Sequence, residues 1–226
     1  MSATTLVSTA TRTRTWTVAA FVASGVLFAL FPVLRPWADE TTPSADLVTA
    51  YASDRWILAH LCGIAALTLL GPALLGLRSL LAGTPGERVA GWALGTAWAG
   101  AACAGLYFGA EMFGIHVLAT DTPGGQPLLD LVAALREQPV AMTLFAAGLL
   151  LLAASGVLAA VAVVRSQRYP ATSGVLLAVA LVLLTPQFWG GPAVRIGHGL
   201  LYAAGCGVVA YVLGRRRSGS DHGRSL

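Results

Sequence analysis

Six long apolar runs dominate the sequence, and each is separated from the next by a segment that contains arginine, proline or glycine. An α-helix needs roughly 20 apolar residues to cross the hydrocarbon core of a bilayer. In hydrocarbon only helices and closed barrels satisfy every backbone hydrogen bond, and these runs lack the polar/apolar alternation of barrel strands. The runs cover residues 16–34, 56–77, 90–119, 140–164, 173–189 and 194–214.

The composition also indicates a membrane protein. Of the 226 residues, 56% are hydrophobic and 11% are charged, and the mean hydropathy is +0.74. Six crossings use about 120 residues and leave roughly 100, which excludes a large soluble catalytic domain. We predict an all-α polytopic membrane protein, a six-transmembrane-helix bundle that forms one domain over residues 16–214. Residues 1–15 form the N-terminal tail and residues 215–226 a basic C-terminal tail.

The arginines predict how the bundle is oriented. All fourteen cationic residues are arginine, and with a cytoplasmic N-terminus ten of them lie inside and four outside. This excess predicts a multi-pass protein of the plasma membrane with both termini in the cytoplasm. Because the arginines lie at the ends of apolar runs and form no patch, we expect the lipid bilayer as a partner and no nucleic acid. The four outer arginines are Arg35, Arg55, Arg136 and Arg195.

The first two outer connections, 36–55 and 120–139, are longer than the others and carry helix signals. In the first, Thr42 or Ser44 can cap a turn. In the second, Pro127 precedes an apolar stripe at helical spacing. We predict a short interfacial helix in each of these loops, which either caps the bundle or acts as a lid over a site. The stripe consists of Leu128, Leu131, Val132 and Leu135.

The third run contains glycines at four-residue spacing. Small residues at this spacing allow neighbouring helices to approach closely. We therefore expect the third helix to lie centrally, with these glycines at helix contacts. They are Gly91 and Gly95, and Gly105 and Gly109.

Four ionisable residues lie inside the runs: His60, Glu111, His116 and His198. Such groups are costly in hydrocarbon and usually face a partner or a cavity. At about 1.5 Å per residue, each histidine lies roughly 5–6 Å from the outer end of its helix, and Glu111 lies about 7 Å deeper than His116. Three histidines on three helices therefore share one level of the outer leaflet.

Helical spacing adds further polar residues to the same two helices. Tyr107 and Glu111 share a face of the third helix with Cys103, and Tyr202 shares a face of the sixth with Arg195, His198 and Cys206. We predict that these faces meet in a polar seam that includes Tyr107, Arg195 and Tyr202. His116 lies roughly 140° around the helix from Glu111, so a four-ligand site requires a bend near Gly114.

Three imidazoles and one carboxylate suit a transition metal such as Zn, Cu or Fe, and histidines on facing helices suit haem. The metal ligands would be His60, His116 and His198, and Glu111 would be a further ligand or a catalytic general base. The sequence thus predicts a metal- or haem-binding membrane enzyme or redox protein with a small lipophilic or extracytoplasmic substrate. In the structural alternative the histidines are packing residues and Glu111 pairs with Arg195.

A second functional class uses the same residues. In a small transporter, channel or accessory membrane subunit, Glu111 and the histidines would bind protons or a cation. The fifth run favours this class, because it is short and interrupted at Pro186, and broken helices often line binding sites. No Walker loop, dinucleotide fingerprint or nucleophile elbow is present, which argues against an NTP-driven pump and a serine hydrolase.

Three segments carry a resemblance to known sequences: Trp56-Ile57-Leu58-Ala59-His60, Gly109 to His116, and Arg195-Ile196-Gly197-His198-Gly199. With them the chain resembles a group of small multi-pass membrane proteins of actinobacteria that have no established activity. The resemblance covers most of the chain. It implies a helical bundle and assigns no catalytic residue.

Overall fold

The computed structural model describes residues 3–122 and 124–215, and within these ranges the chain forms helices and no strand. Five-residue π-helix Glu111–Ile115 joins two of the α-helices, and 3₁₀ turns lie at Ala171–Gly174 and Pro186–Trp189. The α-helices are α1 (Ala3–Leu34), α2 (Ala45–Tyr51), α3 (Asp54–Leu80), α4 (Glu87–Ala110), α5 (His116–Asp121), α6 (Gln126–Arg136), α7 (Pro139–Ser166), α8 (Val175–Val182) and α9 (Pro192–Gly214).

Five helices in the described ranges are long and apolar enough to cross a membrane. The all-α, membrane-type fold predicted from the sequence is confirmed at this level. The third of these spans continues from α4 through the π-helix into α5. The five spans are Thr11–Leu34, Asp54–Leu80, Glu87–Asp121, Pro139–Ser166 and Pro192–Gly214.

The fifth predicted run does not form a long helix. Its α-helix, α8, has only 8 residues, and a 3₁₀ turn lies at either side. Pro186 has no N–H and cannot continue the ladder of helical hydrogen bonds, which explains the change of conformation there. The segment nevertheless runs along α7: Gly174 lies against Ala160, and Phe188 lies against Phe145 with ring centroids 5.2 Å apart.

The long segments form a closed ring. Each packs mainly against two neighbours, in the order α1, α3, α4, α7, α8, α9 and back to α1. Arg14, Arg168 and Arg215 line one cavity, so the described ends of α1 and α9 lie at the same end of the ring, here called the terminal end. The other end is covered by α2, α5 and α6 and is called the capped end.

Both helices predicted in the long loops are present. Ser44, rather than Thr42, caps α2 by accepting a hydrogen bond of 3.1 Å from the Leu47 backbone N–H. Pro127 lies in the first turn of α6, which buries Leu128 and Val132. These residues pack with Trp56 and Ile115 in a small apolar cluster that joins α2 and α6 to α3 and to the π-helix.

Glycine 100 makes the closest contact between α4 and α7. A Cβ built on Gly100 would lie 2.8 Å from the Gly148 carbonyl oxygen and 2.9 Å from Leu152 Cγ. By contrast Gly95, Gly105 and Gly109 have no atom within 4 Å of such a Cβ, and Gly91 has only the Arg78 side chain. The third helix thus packs closely through a small residue, as expected, but through one outside the two predicted pairs.

We predict that Gly100→Ala destabilises the protein and that Gly105→Ala does not. The added methyl group at position 100 has no room, and overpacking of this kind typically costs about 1–3 kcal/mol. At position 105 the methyl group meets open space, and alanine is the better helix former. Thermal unfolding in detergent, followed by circular dichroism, compares the two variants. Equal melting temperatures would contradict the close contact between α4 and α7.

Candidate functional site: an ionic chain at the capped end

Five ionisable side chains form a chain of contacts at the capped end. The Arg35 guanidinium donates to Glu40 Oε1 over 2.5 Å, and Arg136 Nη1 donates to Glu40 Oε2 over 2.8 Å. Arg136 Nε donates to Glu111 Oε1 over 2.7 Å. The other oxygen of this carboxylate, Oε2, lies 3.8 Å from His60 Nε2. The chain ties the loop after α1, the end of α6, the start of the π-helix and α3 to one another.

Arg136 is the centre of this chain because it bridges two carboxylates. It occupies the last turn of α6, where a positive charge is favourable to the helix dipole. Burial works against its charge, but Glu111 and Glu40 outweigh burial and raise the pKa of Arg136. Burial likewise opposes the charge of Glu40, yet Arg35 and Arg136 hold the pKa of Glu40 below its usual range.

Arg35 lies between two indole rings just after the end of α1. Its guanidinium carbon is 4.9 Å from the Trp37 ring centroid and 4.8 Å from the Trp56 centroid. Contacts of this kind stabilise a cation, and more so when it is desolvated. The side chain is 4% exposed, and its Nε has no hydrogen-bond partner among the described residues.

His60 is fully buried in an aromatic surround. Its Nδ1 donates to the Trp56 carbonyl oxygen over 2.7 Å, which assigns the proton of the neutral ring to Nδ1. The ring lies 4.3 Å from Trp56 and 5.3 Å from Phe31, centroid to centroid. Its Nε2 has no hydrogen-bond partner in the described chain. A bare nitrogen therefore faces the Glu111 carboxylate with no other polar group between them.

The π-helix sets the direction of Glu111. Trp56 Nε1 donates to the Glu111 backbone carbonyl over 3.3 Å, at the residue where the α-helix changes to the wider turn. Gly114 lies within this turn, and a Cβ there would lie 2.6 Å from Leu135 Cδ1, so a larger residue would have to displace the end of the Leu135 side chain. In the sequence analysis a bend near Gly114 is a condition of the four-ligand site only. Single π turns inside α-helices are frequent at functional sites.

The three histidines lie in separate environments. His116 Nδ1 donates to the Tyr51 carbonyl oxygen over 3.1 Å and so faces α2. His198 Nε2 donates to the Ala180 carbonyl oxygen over 2.8 Å and faces α8. Only His60 lies beside Glu111. Within residues 3–122 and 124–215 no group of three or more His, Cys, Asp and Glu side chains is placed to hold a metal ion.

The remaining residues of the predicted polar seam are also apart. The Tyr107 hydroxyl donates to the Arg136 carbonyl over 3.4 Å, and the Tyr107 ring stacks on Phe145. The Tyr202 hydroxyl is hydrogen-bonded to Ser24 Oγ over 2.8 Å. Arg195 donates to the carbonyls of Gly190 and Phe188.

The centre of the ring explains why the predicted seam does not close. Helices α4 and α9, which carry its two faces, lie on opposite sides of the ring. Phenylalanine side chains fill the space between them, with neighbouring ring centroids 5.2–6.3 Å apart. These side chains, here called the aromatic core, are Phe28, Phe31, Phe108, Phe145 and Phe188.

Glu111 pairs with Arg136. In the packing alternative considered from the sequence, its partner is Arg195. Sequence reasoning counted Arg136 and Arg35 only as outer charges and did not single out Glu40. One signal was present, because arginine is scarce on the outer side of membrane proteins. Of the four arginines predicted to lie outside, Arg35 and Arg136 belong to this chain of contacts, and Arg195 lines one cavity together with Arg35.

Comparisons with protein-family models, with curated proteins and with solved structures find no match to this chain. The resemblance to actinobacterial membrane proteins therefore stays a prediction. Function has to be argued from the geometry of the capped end.

We predict that Glu111→Gln and Arg136→Gln each lower the free energy of unfolding by about 3–5 kcal/mol, because each leaves a charge at the buried contact without its partner. The double variant should lose less than the sum of the two single variants. A double-mutant cycle of denaturant unfolding in detergent measures this coupling. Asp130→Asn, an exposed acid on α6, is the matched control and should stay within about 0.5 kcal/mol of the wild type. Additive losses would argue against a direct ion pair.

Glu40 gives a pH-dependent prediction. Because the folded protein lowers the pKa of Glu40 from 4.5, its charge contributes stability above the unfolded pKa. This contribution is lost as the pH falls through the lower folded value. We expect the melting temperature of the wild type to fall more steeply below about pH 5 than that of Glu40→Gln. Parallel curves for the two proteins would show that Glu40 adds nothing.

Proposed function

We propose that the protein is a small multi-pass transport protein of the plasma membrane and that His60 and Glu111 bind and release a proton. One observation carries this proposal: the buried Nε2 of His60 has no partner and lies 3.8 Å from the Glu111 carboxylate oxygen. While His60 is neutral, its Nε2 and the Glu111 carboxylate oxygen are both hydrogen-bond acceptors, so no hydrogen bond forms between them. A proton on Nε2 turns the contact into a charge-assisted hydrogen bond.

The chain of contacts supplies a route between this pair and the outer surface. The exposed fraction of the side chains rises from 0% at His60 to 9% at Glu111, 23% at Arg136 and 25% at Glu40. Because an arginine does not release its proton, water beside these side chains, and not Arg136, would have to pass a proton between Glu111 and Glu40. On the other side of His60, Phe31 and Phe108 occupy the centre of the ring of helices. A proton on His60 would therefore exchange with the capped end in this conformation.

Passage to the terminal end would require the aromatic core to move. Two places in the backbone favour such a movement. The π turn at Glu111–Ile115 carries the proton-binding carboxylate, and the 3₁₀ turn at Pro186–Trp189 carries Phe188 of the aromatic core. Interrupted helices are typical of transporters, in which they surround the bound ion or substrate.

We further propose the placement of the chain in the membrane. The segment 171–189 would complete six crossings, and the terminal end would face the cytoplasm because Arg14, Arg168 and Arg215 lie there. Helices α2 and α6 would then lie at the outer interface, with the exposed Leu131 of α6 toward the lipid. Both described ends of the chain would be cytoplasmic.

Our second proposal is a metal- or haem-binding enzyme, which has weaker support than the transport protein. It rests on His60 and Glu111 as neighbouring donors. His116 and His198 would have to leave the carbonyl oxygens of Tyr51 and Ala180 before all three imidazoles could reach one ion. A transition metal bound there would supply a Lewis acid near the outer surface.

Histidine-selective ¹⁵N NMR of the protein in detergent tests the first proposal. On acidification a His60 ring protonated on both nitrogens should appear beside the Nδ1–H form. This doubly protonated ring should be less populated in Glu111→Gln, which lacks the carboxylate that faces Nε2. His60→Gln assigns the signal, because its amide can still donate to the Trp56 carbonyl.

The matched control is His116→Gln, which alters a histidine on the neighbouring helix. It should leave the doubly protonated His60 ring unchanged. If no doubly protonated His60 ring is seen in the folded protein, the proton-site proposal is wrong. In the same spectra, added Zn²⁺ should broaden or shift the His60, His116 and His198 signals together if the metal proposal holds, and none of them if it does not.

A further inference from the structure

A small cavity at the capped end lies beside the ionic chain and is not used by the proton pair. Its volume is about 10 Å³, which is room for a single water-sized particle. Three of its lining side chains are polar and come from three different segments: Arg35, Gln187 and Arg195. The apolar part of the lining consists of Phe28, Phe31, Pro32, Trp37 and Phe188.

The polar lining offers a buried hydrogen-bond donor that nothing in the described chain accepts. Arg35 is 4% exposed, and its buried Nε has no partner. Gln187 is 6% exposed and adds a side-chain amide to the lining. Buried donors without an acceptor are costly, and in native proteins they usually mark a missing water or ion. The occupant of this cavity should therefore accept hydrogen bonds.

The charges around the cavity favour an anion over water. Arg35 and Arg195 lie against the same indole, with guanidinium carbons 4.9 Å and 5.6 Å from the Trp37 ring centroid. Arg195 is held by two backbone carbonyls and forms no ion pair with a carboxylate among residues 3–122 and 124–215. With Glu40 and Glu111 each engaged by arginine, the two carboxylates oppose three guanidinium groups. The surplus positive charge is the one on Arg195.

We propose that this cavity binds one monatomic anion of halide size, held between Arg35 and Arg195 with the Gln187 amide as a third donor. Size favours a single ion, because a whole carboxylate, sulfate or phosphate group is much larger than the space. A halide ion comes nearest in size, and because it is somewhat larger than a water molecule the lining side chains have to move apart slightly to admit it. The surrounding rings exclude water and so strengthen the attraction between the anion and the two guanidinium groups. His60 is not one of the donors, so the anion can bind whether or not His60 carries a proton.

Thermal unfolding of the full chain in detergent tests the site. At constant ionic strength, replacing sodium gluconate by sodium chloride or bromide should raise the melting temperature of the wild type by a few degrees and reach a plateau. Gluconate is the matched anion because it screens charge equally and is too large to enter. Equal melting temperatures in gluconate and chloride would mean that water alone fills the cavity, and the proposal would be wrong.

Three variants separate this site from other causes. Arg195→Gln should lose the halide response, whereas Arg14→Gln, a cation of the terminal end, should keep it. If Arg195→Gln does not fold, Gln187→Glu serves instead, since its carboxylate would stand in for the anion and remove the response. A full response in either variant overturns the proposal. His60→Gln should keep a halide response, so failure of the proton site and failure of the anion site are distinguishable.

Discussion

The contact of Arg136 with Glu111 governs the arrangement of the whole capped end. Glu111 lies on a membrane-type helix and is 7% exposed, and a carboxylate in such a place is stable only with a cation beside it. The cation comes from the end of α6, so the connection between α5 and α7 has to fold back over α4. Because Arg136 also contacts Glu40, the loop after α1 is drawn to the same point. Two long loops are thereby fixed by one guanidinium.

The same contact explains the departures from regular helix nearby. The Trp56 indole reaches the Glu111 carbonyl where the π turn begins, and Gly114 gives Leu135 of α6 the room to approach. The Arg136–Glu111 ion pair therefore lies beside two further features that fit it, the π turn and the glycine at position 114. His60 is held by the carbonyl of the same Trp56. A tryptophan at the start of α3 thus positions both Glu111 and His60, although it contacts neither through a charge.

The sequence predicted where the helices lie along the chain better than it predicted which helices pack against one another. Apolar length located five long helices, and cap residues located α2 and α6, because both signals are local. The depth of a residue along its helix also follows from the sequence. This depth does not determine which other helix packs against that residue. For this reason Tyr107 and Tyr202 do not meet in the predicted seam. The order of helices in the ring puts α4 and α9 on opposite sides, and no local sequence pattern encodes that order. Arg136 was read as a topology charge because its partner Glu40 is distant in sequence. The sequence also indicated that the fifth run is short and interrupted at Pro186, and the structure has a 3₁₀ turn there.

The two proposed sites are linked by charge. With His60 neutral, the ionic chain and Arg195 together hold three guanidinium groups against two carboxylates, and a proton on His60 adds a second surplus positive charge to this group. In a low-dielectric surround these charges disfavour each other even without direct contact. An anion between Arg35 and Arg195 removes the first charge and so makes the second easier to add. By thermodynamic linkage the converse holds, and protonation of His60 tightens anion binding by the same factor. Proton and anion would then enter the capped end preferentially as a neutral pair, which is the combination that crosses an apolar core at the least electrostatic cost.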